Sequence, residues 1–129
     1  MLFYRFRSQE ERSAFGGAAM LELQYCRLHS ANTLSDLVAV ENIVHWQNDS
    51  LYVADEMLFY QEYSHIFNSG IYHNLKTGIV DIFGINYYAP SLIDPIIEKL
   101  QADKPIDYKT LIEWLEKARE YNGFYILGI

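Results

Sequence analysis

The sequence predicts a single α+β domain with a mostly antiparallel sheet of about five or six strands, backed by two or three helices. Three observations carry that prediction. Short aromatic and β-branched runs are punctuated by turn residues through the first two thirds of the chain. Two amphipathic stretches at helical spacing follow, and the chain closes on a run too apolar to lie uncovered. A length of 129 residues is the common size of one domain, and 50% apolar with 16% aromatic residues is enough to build one core.

Leu2 to Arg7 places Leu2, Tyr4 and Phe6 on one face and Phe3, Arg5 and Arg7 on the other, the pattern of a half-buried strand. Ser8-Gln9-Glu10-Glu11 matches a capping box, so a helix starts near Gln9. Gly16-Gly17 interrupts it, and the spacing of Met20 or Leu21, Leu23 or Gln24, and Leu28 predicts a resumed helix from Ala18 to about His29. From Ala31 the signals divide. Thr33 or Ser35 suits a helix cap, whereas Val38 to Val40 and Ile43 to Trp46 are strand material; the preferred reading is a strand ending near Trp46. Gln47-Asn48-Asp49-Ser50 then turns the chain into Leu51 to Ala54 as a hairpin. Asp55 suits a cap, but the aromatics of 55–67 leave helix and strand both open.

Ile71 to His73, the loop Asn74 to Gly78, and Ile79 to Phe83 read as strand, loop and strand. Gly84 to Pro90 is a polar and aromatic loop. Ser91 and Asp94 start a helix bearing Leu92, Ile93, Ile96, Ile97 and Leu100, with Pro95 in its first turn. Lys104-Pro105 breaks the chain, Asp107 caps a second helix with Leu111, Ile112, Leu115 and Ala118 along one stripe, and Asn122-Gly123 stops it. Phe124 to Ile129 is a final strand in the middle of the sheet.

Compartment and chemistry are bounded by what the sequence lacks. One cysteine, Cys26, forms no internal disulfide, and neither a secretory leader nor an apolar run of spanning length is legible, which predicts a cytoplasmic protein. His29, His45, His65 and His73 follow no metal-ligand spacing, even with His65 and His73 facing each other on adjacent strands. Ser64-His65 is no triad, Asp55-Glu56 is no convergent carboxylate pair, and Gly16-Gly17 belongs to no phosphate loop. No catalytic residue, metal or cofactor is assigned.

Charge is the most informative feature. The net charge is −7, and between Arg27 and Lys76 there is no lysine or arginine, while Asp36, Glu41, Asp49, Asp55, Glu56 and Glu62 all fall there. Uncompensated carboxylates attract a cationic partner and disfavour nucleic acid and anionic membranes, whose binding draws on lysine and arginine. Trp46, Tyr52, Phe59, Tyr60 and Tyr63 crowd the same window, and tyrosine is enriched at protein interfaces. The expected function is a protein-binding inhibitor, immunity- or antitoxin-like, that neutralises a basic protein such as a nuclease toxin through Asp49, Asp55, Glu56, Tyr60, Glu62 and Tyr63. The acidic one-domain composition is similar to the general character of bacterial immunity proteins, an analogy carried by no motif. The alternative is a small-ligand or enzymatic domain with its pocket around His73, Asn86, Tyr87 and Tyr88, compatible with a homodimer.

Overall fold

Strand β7 (Phe124–Leu127) holds the middle of the sheet, as its composition requires, and every described pairing is antiparallel. The computed structural model describes residues 1–16 and 20–129. Around β7 lie β1 (Phe3–Tyr4), β2 (Leu21–Tyr25), β3 (Leu51–Val53), β4 (Gly70–Tyr72), β5 (Thr77–Gly78) and β6 (Ile85–Tyr88), in the order β1-β3-β2-β7-β6-β4-β5. The helices are α1 (Gln9–Phe15), α2 (Leu34–Leu37), α3 (Glu56–Tyr63), α4 (Ile93–Asp103) and α5 (Tyr108–Ala118). The α+β class holds, with seven strands and five helices described, more than the sequence suggested.

Strand alternation sorts the side chains onto two faces. Phe3, Leu21, Leu23, Leu51, Phe124 and Ile126 point to the first, where α3, α4 and α5 cover them in one apolar cluster. Trp114 of α5 stacks on Tyr25 of β2 with ring centres 4.1 Å apart and donates its indole N–H to the Asp49 carbonyl. Leu127, Tyr125, Ile85 and Tyr87 point to the second face, covered in part by Leu37 and Val38. The Tyr125 hydroxyl donates to the Leu37 carbonyl and so ties α2 to the sheet.

Several elements depart from the sequence reading, each for a physical reason. The predicted helix from Ala18 to His29 is instead β2, flanked by β3 and β7 and buried along its whole length. The glycine break at Gly17 and the helix resumption at Ala18 lie outside the described residues. The strand predicted to end near Trp46 is absent: Thr33 and Asp36 form a reciprocal capping box that starts α2, and a 3₁₀ turn follows at Val40–Asn42. With no strand there, β3 pairs with β1 and β2 rather than forming a hairpin across 47–50. Within 55–67 the chain is helical over Glu56–Tyr63, because the Asp55 carboxylate accepts from the Leu58 amide while Phe59 and Tyr63 fall on one face.

The hairpin after β4 closes on β5 alone, and 79–83 is not strand; the predicted loop supplies β6, which pairs with both β4 and β7. Ser91 caps nothing, since Pro90–Leu92 is a 3₁₀ turn leading into α4 and Asp94 bonds Arg119 at 2.7 Å. The Ser8 cap on α1 is half of a capping box, its hydroxyl accepting from the Glu11 amide while the Glu11 carboxylate bonds Arg7. At Gly123, φ is +80° and an added Cβ would strike the Tyr88 carbonyl, so only glycine turns the chain from α5 into β7.

Candidate functional site

The alternation of Leu21-Glu22-Leu23-Gln24-Tyr25 sends Glu22 and Gln24 to the second face, opposite the apolar side chains of the same strand. Tyr52 stands directly across from Glu22 on β3, and Arg12 of α1 lies over the Tyr52 ring, 5.6 Å from its centre. Glu22, Tyr52 and Arg12, together with Ile43, His45 and Leu127, line a cavity of about 430 Å³. Its exposed lining mixes apolar Val44, Phe83 and Ile129 with polar Gln9 and His45.

Glu22 is 6% exposed, the only acidic side chain buried among the described residues. Its Oε2 accepts from Gln24 Nε2 at 2.9 Å and from Ser50 Oγ at 2.7 Å. Burial pushes its carboxyl above the ordinary carboxylate range, and the Ser50 and Gln24 bonds, the neighbouring Tyr52 hydroxyl and the Arg12 charge pull against the shift. Tyr52 is raised as well, first by burial and then by the neighbouring Glu22 charge. The Tyr52 hydroxyl is buried beside the Glu22 carboxylate, and Arg12 Nε is buried without a hydrogen-bond partner among the described residues. Reading 18–29 as a helix hides Glu22, whereas the strict alternation of 21–25 is the signal that finds it.

The acidic window does not come together as one patch. Asp49 precedes β3 and pairs with Arg27, while Asp55 follows β3 and caps α3. Glu62 accepts the Ile106 amide at 3.1 Å. Tyr63 is fully buried and donates to the Ile106 carbonyl at 2.6 Å, so its side chain belongs to the core and offers no anchor to a partner. Asp55 and Tyr60 are exposed, and Glu56 reaches the cavity wall.

Nor do the residues of the alternative pocket converge. Asn86 is fully buried and uses its amide on Asp81 and on the Ile126 carbonyl, a structural bond between strands. Tyr87 points to the opposite face and donates to the Asn122 carbonyl at 2.7 Å, and burial pushes its hydroxyl up to about 12. Tyr88 lies in the core, stacked on Phe124. His73 is exposed and bonds the Val38 carbonyl, while His65 pairs with Asp103, so the two histidines do not meet. Cys26 is buried beside the Tyr125 hydroxyl. No cluster among the described residues suits a metal ion, and no described helix is long and apolar enough to cross a membrane.

Comparison with protein-family models, with curated proteins and with solved structures yields no match, so the geometry alone carries the functional reading.

Proposed function

We propose that this chain is a protein-binding inhibitor, immunity-like in character, whose target is a basic protein held against the start of α3 and the neighbouring 79–83 turn. The observation that carries this reading is the composition of that surface. Along α3, Asp55, Met57 and Tyr60 are exposed, with Met57 61% open to solvent. Burial and then the neighbouring Asp81 charge raise the Tyr72 pKa, Tyr60 lies close to the same hydroxyl, and Glu56 shares the cavity wall with Phe83. Acidic and large apolar groups therefore alternate across adjoining elements, and residues 28–75 contain no lysine or arginine to offset them. Such a surface combines long-range attraction for a cation-rich partner with apolar anchors to retain it. Asp55, Glu56 and Tyr60 keep their predicted role, Met57, Asp81 and Phe83 join them, and Asp49, Glu62 and Tyr63 serve the fold.

The test is capture from the native host with wild-type and D55N/E56Q/D81N baits, followed by stopped-flow association of the recovered partner at two salt concentrations. A basic protein in equimolar amount is expected, with the variant associating more slowly and with less salt dependence, because exposed charge acts mainly on the on-rate. A neutral or acidic partner, or unchanged association of the variant at low salt, refutes the reading.

A further inference from the structure

Where α5 hands the chain to the central strand, an asparagine is followed directly by a glycine. Asn122-Gly123 is the only such pair in the sequence. Glycine has no side chain to shield its main-chain nitrogen and turns through angles that other residues resist, so that nitrogen can approach the carboxamide of the asparagine before it. The fold leaves both reacting groups available. Asn122 N–H donates to the Cys26 carbonyl and the Gly123 carbonyl accepts from Cys26 N–H, both at 3.0 Å, but the Gly123 amide itself donates to no acceptor among the described residues. The Tyr87 hydroxyl bonds the Asn122 main-chain carbonyl at 2.7 Å and reaches the side-chain oxygen only at 3.4 Å. Asn122 is half-buried and lines, with Ser30, Glu120 and Tyr121, an open groove that admits water. Asn86 is the contrast: it is fully buried, and both ends of its carboxamide are pinned by Asp81 and the Ile126 carbonyl.

We propose that Asn122 is a site of spontaneous deamidation, and that the product disrupts the turn into β7. The Gly123 nitrogen gives up its proton and bonds to Cγ of Asn122; the Cγ–Nδ2 bond breaks, and Nδ2 leaves with that proton as ammonia. Water then opens the resulting succinimide. Attack at Cγ gives aspartate, whereas attack at the main-chain carbonyl carbon gives isoaspartate, in which the chain runs through Cβ and Cγ. Water is consumed, ammonia is released and a negative charge is gained, with no oxidant or reductant. Isoaspartate adds a methylene to the main chain and turns the carbonyl that Tyr87 bonds into a carboxylate. This turn has no room to absorb the change. An added Cβ at Gly123 would lie 2.1 Å from the Tyr88 carbonyl oxygen, and the adjoining Cys26 bonds set the pairing of Tyr25 with Phe124.

The test is incubation of the folded protein at neutral and mildly alkaline pH, read by peptide mass spectrometry with fragmentation that distinguishes isoaspartate from aspartate. Position 122 is expected to exchange amide for acid before any other asparagine, with isoaspartate among the products and a rate that rises with pH, because the attacking nitrogen must lose its proton. The isoaspartate form, separated by its added charge, should melt lower by about 4 °C or more, as for loss of a buried hydrogen bond in a domain of this size. Asn122→Gln and Asn122→Ser, which disfavour or prevent ring closure, should keep the protein homogeneous on ion exchange. If Asn122 stays intact in the folded protein while the urea-unfolded chain deamidates there, the fold protects the site and the proposal fails. Earlier modification at Asn68 or Asn86, or an isoaspartate form with an unchanged thermal midpoint, also overturns it.

Discussion

Asp107 offers the sharpest test of how the fold is held, because its position in the sequence and its use in the structure differ. It stands at the cap position of α5, yet its carboxylate bonds no amide of that helix. Instead Oδ2 accepts the Leu2 and Phe3 amides at 3.1 and 2.9 Å, and Oδ1 accepts the Thr110 hydroxyl at 2.8 Å. It thereby clasps β1, an edge strand of two residues paired only with β3, to the start of the last helix. Its backbone is left-handed, with φ +62°, which glycine adopts freely, asparagine tolerates and alanine resists. Hydrogen bonds to a charged group contribute about 1.5–3 kcal/mol each, and partial exposure places these near the lower end. Asp107→Gly should therefore cost about 3 kcal/mol for the two backbone bonds. Asp107→Asn retains one oxygen acceptor and should cost about 1 kcal/mol, while Asp107→Ala adds about 1 kcal/mol of backbone strain to the glycine value. Urea unfolding gives the order, wild type above Asn above Gly above Ala, and hydrogen exchange at Leu2 and Phe3 locates the loss. If the glycine variant matches the asparagine variant, or protection at those amides is unchanged, the clasp is not what secures β1.

Two further outcomes follow from the core and from the buried carboxylate. Phe124 is fully buried, stacked on Tyr88 and edge-on to Trp114, so Phe124→Ala should cost about 3–5 kcal/mol in chemical denaturation; a loss below about 2 kcal/mol would place β7 less centrally than described. Because burial raises the Glu22 pKa above its ordinary 4.5, the folded state takes up a proton more readily than the unfolded chain. That contribution to stability is fully present below about pH 4.5 and is lost as pH rises through the folded-state value. Glu22→Gln keeps an oxygen for Gln24 and Ser50 and removes the titration, so its stability relative to wild type should be greatest near about pH 8 and decline toward about pH 4. A difference that stays constant across that range would mean Glu22 is solvated.

Local chemistry alone determined a good part of this protein. The apolar stripes of α4 and α5, the Asp55 and Ser8 caps, the stop at Gly123 and the central place of β7 were all legible, because each depends on neighbours in sequence or on an apolar excess that only burial on both faces accommodates. The alternation in 21–25 was equally present, but short apolar runs satisfy helical spacing too, and only pairing with β3 and β7 decides between them. The candidate sites lay further from view. Six carboxylates near one another in the chain suggested one acidic face, yet β3 carries the backbone from an Asp49 neutralised by Arg27 to an Asp55 that caps α3, and Tyr63 turns inward. Glu22 drew no notice in sequence, since its surroundings include Tyr52 of another strand, Ser50 just before it and Arg12 of a helix. Charge and propensity are properties of the chain, whereas desolvation and convergence arise only when distant segments close over one another, and those are what set Glu22 and its cavity apart as a candidate site.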